Sequence, residues 1–392
     1  MTDKIYDKDP HITEFEATVL SCDKDPESGK YAVSLDRTAF FPEEGGQGCD
    51  KGFLNGNPIL HVSIGKDGTI THMLANPLPV SEKVQGSVDW TQRFDYMQQH
   101  TGEHILSGLI HSKFGYDNVG FHLSGDYTTL DVNGPLTLED IVSLEQEANK
   151  VVFSNLPVKA YFPSTDELKM LTYRSKIEIE GPVRLVEIPG IDLCACCAPH
   201  VDMTGQIGLI KITQFMAHRG GMRLTILCGM RALKFFGDNL SVLNTLSASL
   251  SVPYEMLPEA VEHLKQESFE KQQRINALQE KLLSVSLSVL PAPSVSANAF
   301  LFAESMDTKA LRNAVNDLTA SYPGFSGIFN GNDTDGYTFI IGAGQEADCA
   351  QLTPILREKL SAKCGGSSQM IQGSVNASRE SITACLQTAS AS

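Results

Sequence analysis

Gln99-His100-Thr101-Gly102-Glu103-His104-Ile105-Leu106 is followed, at helical spacing, by Leu109 and Ile110. Apolar side chains returning at that period predict a helix running from Thr91 to Phe114, with Ile105, Leu106, Leu109 and Ile110 as its buried stripe. His100 and His104 then stand on one face, about a turn apart. A single helix offers two imidazoles to one ion in this way.

A second cluster lies downstream: Cys194-Ala195-Cys196-Cys197-Ala198-Pro199-His200. Cys196 and His200 are also four apart. With His100 and His104 they make a nitrogen-rich set containing one thiolate, which suits a single Zn²⁺ per chain. Cys194 or Cys197 could replace Cys196 as the sulfur ligand. Four protein ligands fit a closed structural site, whereas a catalytic zinc needs one exchangeable position. The first motif also fits the H-x-x-E-H pattern of inverted zinc peptidases, with Glu103 as base and Glu178 or Glu180 as a distant ligand. That alternative leaves Cys196 and His200 unexplained.

On either side of these motifs the chain changes character. Residues 1–90 read as short strands (Phe15 to Ser21, Tyr31 to Asp36, Ile59 to Ile64, Val84 to Asp89) with turn signals at Asn55-Gly56 and Asp67-Gly68. They predict a small N-terminal β-barrel. Residues 91–235 mix helices and strands in an α+β pattern that contains the metal motifs. A second helix is expected from Leu138 to Asn155, capped by Thr137, and strands at Tyr127 to Val132, Arg184 to Glu187, Ile207 to Ile212 and Met222 to Leu227. Residues 236–290 predict a helical connector. Val261, Leu264, Ile275, Leu278 and Leu282 mark a seven-residue seam there, interrupted at Ser268 and Lys271, as in a hairpin or short coiled coil. Residues 291–392 predict a C-terminal α/β domain, with strands near Phe300 to Ala303 and Tyr337 to Gly342. Helices are expected at Thr308 to Ser321 and Pro354 to Leu360, the latter capped by Thr353. The fold class is α+β overall.

The chain has 392 residues, 42% of them hydrophobic, and a formal net charge of −16. That charge excludes a generic polyanion binder, so any nucleic-acid contact needs a local basic surface. Residues 203–237 supply one: Lys211, Arg219, Arg223, Arg231 and Lys234, with no acid. His218-Arg219-Gly220-Gly221-Met222-Arg223 reads as a hairpin tip that reaches phosphates, making Lys211, Arg219 and Arg223 candidate tRNA contacts. Nine cysteines, three of them clustered, argue for metal or thiol chemistry rather than a disulfide framework. The N-terminal segment is charged from the start, unlike a secretory signal, and no apolar run approaches the length of a membrane span. A cytoplasmic protein without a membrane partner is expected.

A third motif connects these readings. Asp36-Arg37-Thr38-Ala39-Phe40-Phe41-Pro42-Glu43-Glu44-Gly45-Gly46-Gln47 ends in a glycine turn that allows close backbone approach, and Gln47 there offers one donor and one acceptor. With the HTGEH helix, the CxxxH turn and Thr204-Gly205-Gln206-Ile207-Gly208, the series resembles the tRNA-editing domain shared by alanyl-tRNA synthetases and the free-standing AlaX proteins. The match runs over about residues 15–235. The tail, with Gly365-Gly366-Ser367-Ser368-Gln369-Met370-Ile371-Gln372-Gly373, resembles the domain that follows it, as in long-form AlaX. There is no room for an aminoacylation domain. The chain departs from the family at Glu44, often a glycine, and at Cys197-Ala198-Pro199, commonly Gly-Gly-Thr.

The resemblance implies hydrolysis of tRNA(Ala) whose acceptor end carries serine or glycine. A pocket built for alanine rejects neither firmly, so a second, hydrolytic site is needed. It implies zinc on His100, His104, Cys196 and His200, with Thr38 and Gln47 lining the amino-acid pocket and Thr38 meeting a serine hydroxyl. Glu103 is the candidate for orienting water, although on a helix it faces away from the ligands. Nucleotide and ATP binding, and a homodimer through the C-terminal region, come with the likeness to the synthetases. A zinc peptidase, or a non-catalytic tRNA-binding protein with a structural zinc, are the alternative functions.

Overall fold

The computed structural model describes residues 2–125, 127–175 and 181–389. Contacts divide the chain into two units, Met1–Thr245 and Leu246–Ser392. The fold is α+β, and the first unit opens with the expected barrel. Six strands close in the order Glu14–Lys24, Tyr31–Leu35, Ile70–Leu74, Asn57–Ile64, Gly52–Leu54, Lys83–Val88. Alternation points Val33, Leu35, Leu54, Val62, Ile70 and Leu74 inward, where they pack with Phe40 and Phe41. Asn55 and Gly56 both take positive φ (46° and 75°), the two-residue hairpin turn that their sequence signalled.

The long helix runs Trp90–Phe114, from an Asp89 cap that accepts from the Gln92 N–H to Gly115 in the left-handed region. Beside it lies a four-stranded sheet in the order Ile210–His218, Gly221–Cys228, Thr128–Val132, Asn118–Leu123. The helix Leu138–Phe153 starts from a capping box in which Thr137 and Asp140 satisfy each other's backbone. A three-stranded sheet, Lys159–Tyr161, Leu185–Ile188, Asp192–Ala195, brings in the cysteine cluster. One core joins Met97, Ile105, Leu106 and Ile110 of the long helix to Leu130, Leu224 and Ile226 of the larger sheet.

One expectation is corrected here. The strand foreseen over 207–212 is split: Thr204–Ile207 is a 3₁₀ turn, Gly208 takes a φ of 81°, and the strand begins only at Ile210. The barrel, expected over 1–90, and the segment with the histidine and cysteine motifs, expected over 91–235, both fall within the one compact unit Met1–Thr245. The reason is visible at Arg93 of the long helix. Fully buried, it holds the equally buried Asp50 through its Nε (3.0 and 3.1 Å) and Nη2, and donates to the carbonyls of Pro10 (2.8 Å) and Ala39 (2.6 Å). A buried charge so fully satisfied locks helix to barrel.

Helices Gly229–Leu250 and Leu257–Ser288 occupy the expected connector region. Val261, Leu264, Ile275, Leu278 and Leu282 are exposed along the second. The second unit is a five-stranded sheet ordered Ala299–Ala303, Phe325–Asn332, Gly336–Ala343, Met370–Val375, Lys363–Gly366, with only the first pair parallel. Helix Thr308–Ser321 falls where foreseen. The helix expected from Pro354 instead begins at Cys349, because Asp348 caps it by accepting from the Ala350 N–H (2.8 Å), and Pro354 sits inside it. Among the described residues, no helix is long and apolar enough to cross a membrane.

Candidate metal centre and catalytic cavity

The long helix presents His100 and His104, and the turn after strand Asp192–Ala195 presents Cys196 and His200. Their ligand atoms all lie within 4.8 Å of one another. The Cys196 Sγ is 3.6 Å from His100 Nε2 and 3.4 Å from His200 Nε2. A tetrahedral ion about 2.3 Å from sulfur and about 2.0–2.1 Å from nitrogen sets S···N edges of about 3.6 Å, so the set fits zinc.

The outward nitrogens explain why the imidazoles face inward. His100 Nδ1 bonds Gln47 Oε1 (2.7 Å), His200 Nδ1 meets the Thr101 hydroxyl (3.0 Å), and His104 Nδ1 meets Asp192 Oδ2 (2.8 Å). Each outer partner fixes a ring and leaves Nε2 for an ion. Asp192 is in turn gripped by the Arg174 guanidinium at 2.8 and 2.9 Å. Gly108 makes this approach possible, since a Cβ there would lie 2.4 Å from the Ile191 carbonyl oxygen. Asp192, His104 and Cys194 also cluster, but the Arg174 cation on Asp192 disfavours a second ion there.

The three thiols differ in their electrostatic surroundings. Burial raises the Cys196 thiol, yet the facing imidazoles of His100 and His200 outweigh it and hold it well below the ordinary thiol range. Burial pushes Cys194 up to about 11. Cys197 is pushed well up by burial and by the neighbouring Cys196 and Glu44. Burial holds His200 down to about 3, as the neutral imidazole that a metal requires. For His104, burial opposes protonation, but Asp192 and Cys196 raise its pKa well above the usual value.

A cavity of about 720 Å³ opens on this set, and His100, Glu103, His104, Cys196, Glu44 and Phe121 contribute to its lining. Glu103, expected to turn away, is buried in this wall. Its Oε1 accepts from the Ser107 hydroxyl and the Asn118 amide, and its Oε2 lies 4.0 Å from His104 Nε2.

Two assignments change. Thr38 does not line the cavity: fully buried in the barrel, its hydroxyl bonds His72 Nε2 (2.9 Å) and accepts the Phe40 N–H (3.1 Å). Its full burial in the closed barrel keeps this hydroxyl from the cavity. Gln47, also fully buried, orients His100 instead of lining the cavity. Its backbone pairs with Leu123, and Gly46, with a φ of 85°, lies so close to the strand that a Cβ would sit 2.2 Å from the Phe121 carbonyl oxygen. Glu178 and Glu180, the peptidase alternative's third ligands, lie outside the described residues.

The basic residues are only partly as expected. Arg219 and Gly220 form the tip of the hairpin, both at positive φ. Arg223 forms a fork with Asp131 (2.6 and 2.7 Å) and Lys211 pairs with Glu145 (2.8 Å), so their charges are largely spent within the chain. Sequence reading missed Asp192, Arg174, Ser107 and Asn118. Only Asp192, close before the cysteine cluster, carried even a positional hint.

A helix and a cysteine turn bring together, beside a closed barrel, side chains that can ligate one ion. Residues 183–224 match the family described as the threonyl and alanyl tRNA synthetase second additional domain. The chain is 31% identical over 291 residues to the alanyl-tRNA editing protein AlaX-L of Pyrococcus horikoshii, covering 72% of this chain and 70% of that one. It is 27% identical to the alanyl-tRNA editing protein Aarsd1 of Mus musculus, over 93% of this chain and 92% of the other. With the alanine–tRNA ligase of Thermofilum pendens it shares 34% identity over 74% of its length, which is 33% of the ligase. The chain belongs to the alanyl-tRNA editing protein family.

Proposed function

We propose that this chain works in trans on alanine tRNA mischarged with serine or glycine, cutting the ester between the amino acid and the terminal ribose. As a member of the alanyl-tRNA editing proteins it is an aminoacyl-tRNA deacylase. The observation that carries the finer reading is the convergence of His100, His104, Cys196 and His200, each ring oriented from outside, on the wall of a cavity. Zinc bound there would supply Lewis acidity to an ester already activated toward hydrolysis. Glu103, fixed by Ser107 and Asn118, accepts a proton from attacking water. Gln47, Thr101 and Asp192 keep the imidazoles in the ligating tautomer. Phe121, tilted against His100 with ring centroids 4.6 Å apart, gives the amino-acid subsite an apolar side. Lys66, exposed at the cavity, and Arg219 on the hairpin supply positive charge for the acceptor end's phosphates.

The test is release of serine, glycine and alanine from the three aminoacylated forms of tRNA(Ala), before and after chelation and zinc restoration. Loss of serine or glycine, with alanine spared and with activity following zinc, supports the proposal. Equal release of all three amino acids would refute it, as would full activity of His104→Ala.

A further inference from the structure

Three carboxylates line the cavity: Asp7, Glu44 and Glu103. Glu103 is held by Ser107 and Asn118, and Asp7 faces the Arg184 guanidinium at 3.8 Å. Glu44 differs from both, because its Oε2 is buried with no hydrogen bond of good geometry and the donor beside its carboxylate is the weakly donating Cys197 thiol. A carboxylate met by a thiol is poorly satisfied, and on a cavity wall it suits a ligand that brings a stronger donor.

Glu44 is also placed with care. Its backbone N–H donates to the Gln47 carbonyl (3.2 Å) and its own carbonyl accepts the Gln47 N–H (3.0 Å). The turn that positions this carboxylate is therefore the one whose Gln47 side chain orients His100.

We propose that Glu44 anchors the α-ammonium group of the aminoacyl ester. This rests on the deacylase reading above and deepens it. The substrate carries its ammonium one carbon from the ester carbonyl, so a cation must enter the cavity with the bond to be cut. A carboxylate meets that cation with a charge-assisted hydrogen bond, the strong kind. Serine, glycine and alanine all carry the ammonium, so Glu44 does not choose among them. It selects free aminoacyl esters over N-acylated ones, and peptidyl-tRNA is thereby spared.

The experiment compares the full-length wild type with Glu44→Gln and with Glu44→Gly, the second in case the first misfolds. Zinc content is measured for each. Substrates are Ser-tRNA(Ala) and N-acetyl-Ser-tRNA(Ala), read as kcat/KM. In parallel, calorimetry measures binding of 3′-deoxy-3′-(serylamino)adenosine and its N-acetyl form, which are not hydrolysed. Wild type is expected to favour the free amine by about 10- to 100-fold, the range for one charge-assisted bond. The variants are expected to lose that preference in both assays while keeping their zinc. Retention of the preference in the variants overturns the proposal, and so does loss of zinc, which would make Glu44 a support of the metal turn. If wild type fails to deacylate, the deacylase reading falls, and the calorimetric preference still decides whether Glu44 binds the amine.

Discussion

Asp192→Asn is the substitution that best tests how the metal centre is built. Asp192 accepts from His104 Nδ1 at 2.8 Å and from two Arg174 nitrogens at 2.8 and 2.9 Å, and it is almost wholly buried. Asparagine keeps the size but removes the charge, and one of its two oxygens becomes a donor that cannot serve both partners. His104 then loses its fixed tautomer, and Arg174 is left a cation without its counter-charge. Removing the outer partner of a metal-bound histidine commonly costs 10- to 100-fold in metal affinity, which is about 1.4–2.7 kcal/mol. Because the Asp192 bond is charge-assisted and roughly twice as strong as a neutral one, Asp192→Asn should fall near the 100-fold end. Gln47→Met, which removes a neutral bond to His100, should fall near 10-fold, and Thr101→Val below that. Zinc dissociation constants from chelator competition at fixed pH measure the series, with circular dichroism to confirm folding. A folded Asp192→Asn that binds zinc within threefold of wild type would refute the reasoning, and three equal losses would refute the ranking.

Burial holds His72 down to about 4, below the unfolded value near 6.5. The neutral imidazole is thus favoured by folding, and its contribution is complete above pH 6.5 and lost as pH falls toward 4. The loss is about 2 kcal/mol by pH 5 and about 3 kcal/mol by pH 4. Urea unfolding of zinc-free wild type and His72→Gln should therefore converge on acidification, and a constant gap would contradict this. Gly46→Ala places a Cβ 2.2 Å from the Phe121 carbonyl at a φ of 85°. It should cost at least about 1–3 kcal/mol and loosen zinc by displacing Gln47, whereas an unchanged melting temperature would show that the turn can give way. Arg219→Ala should reduce the slope of log affinity for tRNA against log salt by about one. Lys211→Ala should change it much less, since Glu145 already holds that charge, and equal effects would count against the pairing argument.

Parts of the site were legible because they rest on local spacing. The i and i+4 repeat fixes His100 against His104 whatever surrounds the helix, and Cys196 and His200 are tied by one short turn. The barrel was legible for a similar reason: alternating apolar residues and an Asn-Gly turn act over a few positions. The single unit joining barrel and metal region was not legible, since it depends on Arg93 meeting Asp50 across 43 residues. Sequence gives no register for such a contact.

By itself, then, the amino-acid sequence determined which side chains can ligate an ion, the period of the elements that carry them, and the family to which the motifs belong. Tertiary structure alone decided which thiol lies among the imidazoles, because only packing sets the burial that raises Cys194 and the imidazoles that lower Cys196. It also decided that Thr38 turns into the barrel while Glu44 and Glu103 reach the cavity. Period and propensity say whether a residue faces inward. Which of two interiors it enters depends on how the barrel closes and how its glycine turn lies against the strand Asn118–Leu123, and both are set by contacts between residues far apart in the chain.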